Sequence, residues 1–105
     1  MNFKELGARL GLEEDEFKEL VELFVETGAA DFDRLQTAAA SRDVEQVMKS
    51  AHTLSGAAGN LGLMDIHTLA KQIENQARDN KLDGVSEAVQ ELKVRIDQVA
   101  AVFGG

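Results

Sequence analysis

His52 is the side chain best suited to chemistry in this chain, and its setting is Ala51-His52-Thr53-Leu54-Ser55-Gly56. A neutral imidazole offers one ring nitrogen as a nucleophile or base while the other holds a proton. Gly56 lies one helical turn beyond it, where a glycine costs about 1 kcal/mol relative to alanine. Gly59 follows, so Gly56-Ala57-Ala58-Gly59 forms a thinly covered stretch whose two glycines cost roughly 1–2 kcal/mol of helix propensity. Close helix packing would account for part of that cost. Approach of another molecule would account for it too, and for a titratable ring at the edge of the cleared patch.

A second residue reaches the same level by counting. A turn at Leu61-Gly62 puts His52 ten residues before the glycine and Glu74 twelve after it. At 1.5 Å per residue both lie roughly 15–18 Å from the turn, on facing helices of a hairpin. A carboxylate there can accept a hydrogen bond from one ring nitrogen and leave the other as the nucleophile. Lys71, one turn before Glu74, is close enough to supply positive charge to an anion on the ring. His67, near the start of its helix and without matching glycines, reads as ordinary surface. No pair of histidines at one level suggests a metal site, so no metal or cofactor of its own is expected. On these residues alone, His52 is either a working group or an incidental histidine on a structural bundle.

The elements that must hold these groups are helical. Alanine, leucine, glutamate, glutamine and lysine are plentiful, and proline and tryptophan are absent. Apolar spacing predicts a short helix over about Asn2 to Leu10, with Phe3, Leu6 and Leu10 on one side and Gly11 as its end. A long helix follows from about Glu14 to Ala40, with the stripe Phe17, Leu20, Val21, Phe24, Gly28, Phe32, Leu35 and Ala39. Ser41 is the expected cap of the next, which carries Val44, Val47, Ala51, Leu54, Ala58 and Leu61 inward and ends at Gly62. Met64 to Asn80 turns Ile66, Leu69, Ile73 and Ala77 inward. After the loop Asn80 to Gly84, the last helix carries Val85, Val89, Leu92, Ile96, Val99 and Phe103. The expected fold is all-α, an antiparallel four-helix bundle with a short additional N-terminal helix, in one domain over residues 1–105.

Composition narrows the chemistry further. There is no cysteine, which excludes disulfides, thiolate metal sites and a cysteine nucleophile. Eleven basic residues against 19 acidic give a net charge of -8, unlike a nucleic-acid-binding surface. With no leader and no apolar run near membrane-spanning length, a cytoplasmic location without membrane contact is expected, and nothing predicts self-association beyond a monomer.

The segment from Ser50 to Gly62, with His52, Gly56, Gly59, Leu61 and Gly62, closely resembles the signature of histidine-containing phosphotransfer (HPt) domains. The resemblance extends over nearly the whole chain, including the opening Phe17 to Phe24. It implies a phosphorelay carrier in which His52 exchanges a phosphoryl group with the aspartate of a response-regulator receiver domain, including the receiver of a hybrid sensor histidine kinase. It further implies that Glu74 orients the ring and Gly56 leaves room for the partner. Neither ATP binding nor kinase activity is implied, and the Mg2+ of the reaction belongs to the receiver. Met48, Gly59, Leu12 and Phe17 are the expected receiver-docking residues. One position departs from the pattern: the family usually has lysine immediately before the glycine, and this chain has Ser55. Ser55, Lys49 and Lys71 are then the expected phosphoryl contacts, and a receiver-binding module that transfers phosphate poorly is the alternative reading.

Overall fold

The computed structural model describes residues 3–104, with side chains through Val102. The described residues form five helices and no strand: α1 (Phe3–Arg9), α2 (Glu14–Ser41), α3 (Val44–Asn60), α4 (Met64–Arg78) and α5 (Val85–Gly104). The expected start at Asn2 and the inward side chain of Phe103 lie outside the described residues. α3 packs on α2 and α4, α5 packs on α4 and α2, and α1 lies against α2. A ring of four helices therefore surrounds the core.

The apolar stripes explain that packing. Phe17, Val21, Phe24, Leu35, Val47, Ala51, Leu54, Ile66, Ile73, Leu92 and Val99 are all buried in one cluster. Phe3 closes α1 onto α2 through an edge-on contact with Phe17, with ring centroids 5.8 Å apart. Two stripe residues are not core. Leu10 follows the last turn of α1 and is exposed, and Leu20 is exposed because it lies at the edge of the arc centred on Phe17, Val21, Phe24 and Gly28.

Helix ends set the register between α3 and α4. The Asp43 carboxylate accepts from the Gln46 N–H at 3.2 Å and starts α3. Ser41 is not that cap. Arg42 takes a left-handed conformation (φ 58°) after it, so Ser41 remains in the last turn of α2 and donates to the Thr37 carbonyl at 3.0 Å. At the other end of α3, Gly62 adopts φ +75°. Its N–H bonds Gly59 O at 3.1 Å while the Leu63 N–H bonds Ala58 O at 2.9 Å. This left-handed closure reverses the chain within three residues, so α4 returns along α3. α4 ends at Arg78, short of Asn80, because Asn80 is itself left-handed (φ 58°) and closes the helix in the same way.

Candidate functional site

The hairpin of α3 and α4 brings His52 and Glu74 together. His52 Nδ1 lies 3.2 Å from Glu74 Oε2. A carboxylate only accepts, so Nδ1 carries the proton and the neutral ring presents an unprotonated Nε2. The two residues differ sharply in exposure: the His52 side chain is 70% exposed and that of Glu74 is 7% exposed. The ring thus stands on the surface while its anchor is set into the helix contact.

Glu74 is held from three directions. Lys71 Nζ donates to Oε1 at 3.2 Å, and Arg78 Nη2 donates to Oε2 at 3.0 Å, the oxygen that also faces His52. Burial pushes this carboxyl up, but hydrogen bonds and positive charge from Lys71 and His52 outweigh it and hold the group below the usual glutamate range. The carboxylate is therefore ionised at neutral pH. Arg78 was absent from the sequence expectations, although its spacing four residues after Glu74 is the signal of a helical ion pair.

Gly56 is exposed, and a Cβ added to it would meet nothing within 4 Å. Internal packing does not explain this glycine. Gly59 is different. A Cβ there would lie 3.0 Å from His67 Nδ1, so Gly59 makes room for an imidazole of α4. His67 is correspondingly not ordinary surface. It is half-buried, and its Nδ1 donates to the Ser55 carbonyl at 2.8 Å.

Ser55 moves with that correction. It is buried, at 3% exposure, and its hydroxyl lies 3.0 Å from His67 Nδ1. It faces α4 beneath the surface and offers no open donor beside the His52 ring. Lys49 is exposed but paired with Glu45 at 3.1 Å, one turn away from His52 toward the start of α3. Phe17 is wholly buried, and Leu12 is half-buried against the core. Gly28 marks the level of Leu54 on α2, and Phe17 lies about 16 Å further down that helix at 1.5 Å per residue. Neither Phe17 nor Leu12 therefore belongs to the surface around the ring. Met48, one turn before His52 and half-buried, is the apolar neighbour that remains.

Among the described residues, no group of three or more histidine, cysteine, aspartate or glutamate side chains could hold a metal ion. No described helix is long and apolar enough to cross a membrane.

An exposed imidazole held through Nδ1 by an ionised carboxylate has the chemistry of a nucleophile. A family model described as Hpt domain matches residues 19–102. The chain belongs to the Hpt family. Hpt domains are phosphotransfer carriers of phosphorelays, not kinases, and they partner with response-regulator receiver domains. The fold of this Hpt domain is similar to the crystal structure of histidine-containing phosphotransfer protein B from Pseudomonas aeruginosa PAO1. The match has a TM-score of 0.83 at 22% identity, over 94% of this chain and 86% of that one. No curated protein matches the sequence.

Proposed function

We propose that this Hpt domain accepts a phosphoryl group on His52 Nε2 from the aspartyl phosphate of a receiver domain and returns it by the reverse step. The observation that carries the reading is the His52–Glu74 contact, which fixes the tautomer with Nε2 free on an exposed ring. The Nε2 lone pair attacks phosphorus in line, the bond from phosphorus to the aspartyl oxygen breaks, and the aspartate leaves as carboxylate. The ring keeps its Nδ1 proton and becomes cationic, and Glu74 accepts a stronger, charge-assisted hydrogen bond from it. Mg2+ held by the receiver supplies neutralisation of the phosphoryl oxygens during transfer. Gly56 gives the receiver's loops access, and Met48 offers an apolar contact next to the ring.

Four helices in antiparallel order, with α1 as an addition, suit this role because the hairpin of α3 and α4 presents the ring without a lid. We further propose that this domain works as a monomer in the cytoplasm. A second reading rests on Ser55, whose buried hydroxyl leaves the surface near the ring without the usual lysine of α3. In that reading the domain binds a receiver and transfers phosphate poorly. Incubation with a radiolabelled phosphorylated receiver separates the two. Acid-labile, base-stable label on the wild type and none on His52→Gln supports transfer; complex formation without label on the wild type supports the second reading.

A further inference from the structure

Both histidines make polar contacts across the interface of α3 and α4, and only those of His52 involve the reacting ring. Around them the interface is lined by small side chains: Ala51 and Ala58 on α3 and Ala70 and Ala77 on α4 are wholly buried. Alanines let two helices lie close, but their shallow ridges hold axial position weakly. The turn at Gly62 fixes the near end of the hairpin. His52 and Glu74 meet ten and twelve residues away from it, where a small slide or tilt of α4 is enough to part them.

His67 stands between the turn and the site. It lies five residues after Gly62, and its partner Ser55 lies seven before. His67 Nδ1 donates to the Ser55 carbonyl at 2.8 Å and lies 3.0 Å from the buried Ser55 hydroxyl. The helices approach this closely because Gly59 has no side chain: a Cβ there would lie 3.0 Å from the same nitrogen. A directional bond to a main-chain carbonyl in a half-buried contact suits one register, because a slide leaves the N–H without its acceptor. His67 and Glu74 are seven residues apart on α4, so both lie on its α3 side, about 10 Å apart along the axis. A position fixed at the first is carried by the helix to the second.

We propose that His67 is a positioning residue of the phosphoryl-accepting site: through the Ser55 carbonyl it pins α4 against α3 in the register that keeps Glu74 on His52 Nδ1. The inference rests on the reading of His52 as the acceptor. Without the pin the Glu74 contact loosens and the Nδ1 proton is no longer held. A share of the rings then carries the proton on Nε2, which has no lone pair left to attack phosphorus.

The test uses the full chain with three substitutions, each compared under conditions where circular dichroism shows it folded. His67→Leu removes the donor and keeps much of the bulk, and Gly59→Ala displaces the ring from the α3 side, so loss of folding in one leaves the other. His67→Gln carries an amide N–H that can reach the same carbonyl. Nitrogen-15 NMR of the His52 ring at about pH 9, where an ordinary imidazole is neutral, reports which nitrogen holds the proton. His67→Leu and Gly59→Ala are expected to turn an Nδ1–H signature into a mixture of tautomers. They should also lower phosphoryl acceptance at saturating receiver about tenfold, with the half-saturating receiver concentration unchanged. His67→Gln should keep the Nδ1–H signature, and its rate should stay within about threefold of wild type. An Nδ1–H signature unchanged in folded His67→Leu or Gly59→Ala overturns the proposal, whatever the rate. A loss confined to the half-saturating concentration overturns it too, since that would make His67 a receiver contact. If the wild type accepts no phosphoryl group, the functional reading fails, while the His52 tautomer in the variants still decides whether His67 sets the register.

Discussion

Two imidazoles sit in the same helix contact, and their differences separate an exposed ring held by a charge from a half-buried ring used to pack. His52 projects from α3 toward α4, and His67 projects from α4 toward α3. Each is anchored through Nδ1, but His52 is bonded to an ionised carboxylate and His67 to a neutral carbonyl and hydroxyl. Each also has its glycine. The space above Gly56 is open, whereas the space above Gly59 is filled by the His67 ring. The same residue type, three positions apart on one helix, thus borders open space in one case and permits close packing in the other.

The largest expected effect concerns the rings themselves. His52→Gln should abolish phosphoryl acceptance from a labelled receiver, while His67→Gln should keep the rate within about threefold of wild type. Loss of labelling in both variants, with both folded by circular dichroism, would erase the functional distinction between the two.

The glycines make the contrast quantitative. Gly59→Ala places a methyl group 3.0 Å from His67 Nδ1 and must displace a held ring. Overpacking of this kind typically costs about 1–3 kcal/mol. Gly56→Ala meets no atom and gains helix propensity, so it should stabilise the fold by up to about 1 kcal/mol while slowing transfer. Urea unfolding of the two variants checks the opposite signs. Adding His67→Ala to Gly59→Ala should recover part of the loss, since the clash partner is gone.

These two levels also show what could be read before the structure. The match in height of His52 and Glu74 is legible because helix rise is constant and the chain reverses at a glycine, so counting from Gly62 is enough. The stripes of α2, α3 and α5 are legible for the same reason, through their regular spacing. Which side of α3 a small polar residue faces is harder. Ser55 lies between His52 and Gly56 in sequence, yet it points beneath the surface because its position falls just beside the buried line of Ala51, Leu54 and Ala58. His67 and Gly59 went unmatched because their contact crosses between helices, and no periodicity within one helix reports it. Phe17 followed the family expectation of docking, but burial against α1 depends on how the short helix folds back, through contacts at Phe3 and Gly7.

The anchors predict different responses to pH. Glu74 is held below the usual glutamate range when folded, so its interactions contribute stability above the ordinary value of 4.5 and lose it as pH falls through the lower folded value. Glu74→Gln should flatten that part of the acid limb of the stability curve, because the group no longer titrates. Equal steepness in wild type and variant, measured by thermal unfolding between pH 5 and about pH 2.5, would show that the ion cluster around His52 adds nothing to folding.

The smallest effect is expected at Ser55, and it addresses the departure from the family pattern most directly. Ser55→Ala removes the hydroxyl but leaves the backbone carbonyl, which already accepts from His67 Nδ1 at 2.8 Å. The donor therefore stays satisfied, and the cost should be about 0.5–1 kcal/mol, the net worth of one neutral hydrogen bond. Transfer to His52 should be unchanged, since the hydroxyl is buried against α4 and not beside the phosphoryl group. A severalfold loss of transfer rate at unchanged stability would put that hydroxyl back at the reacting ring, and with it the division between the two imidazoles would fail at the residue that joins them.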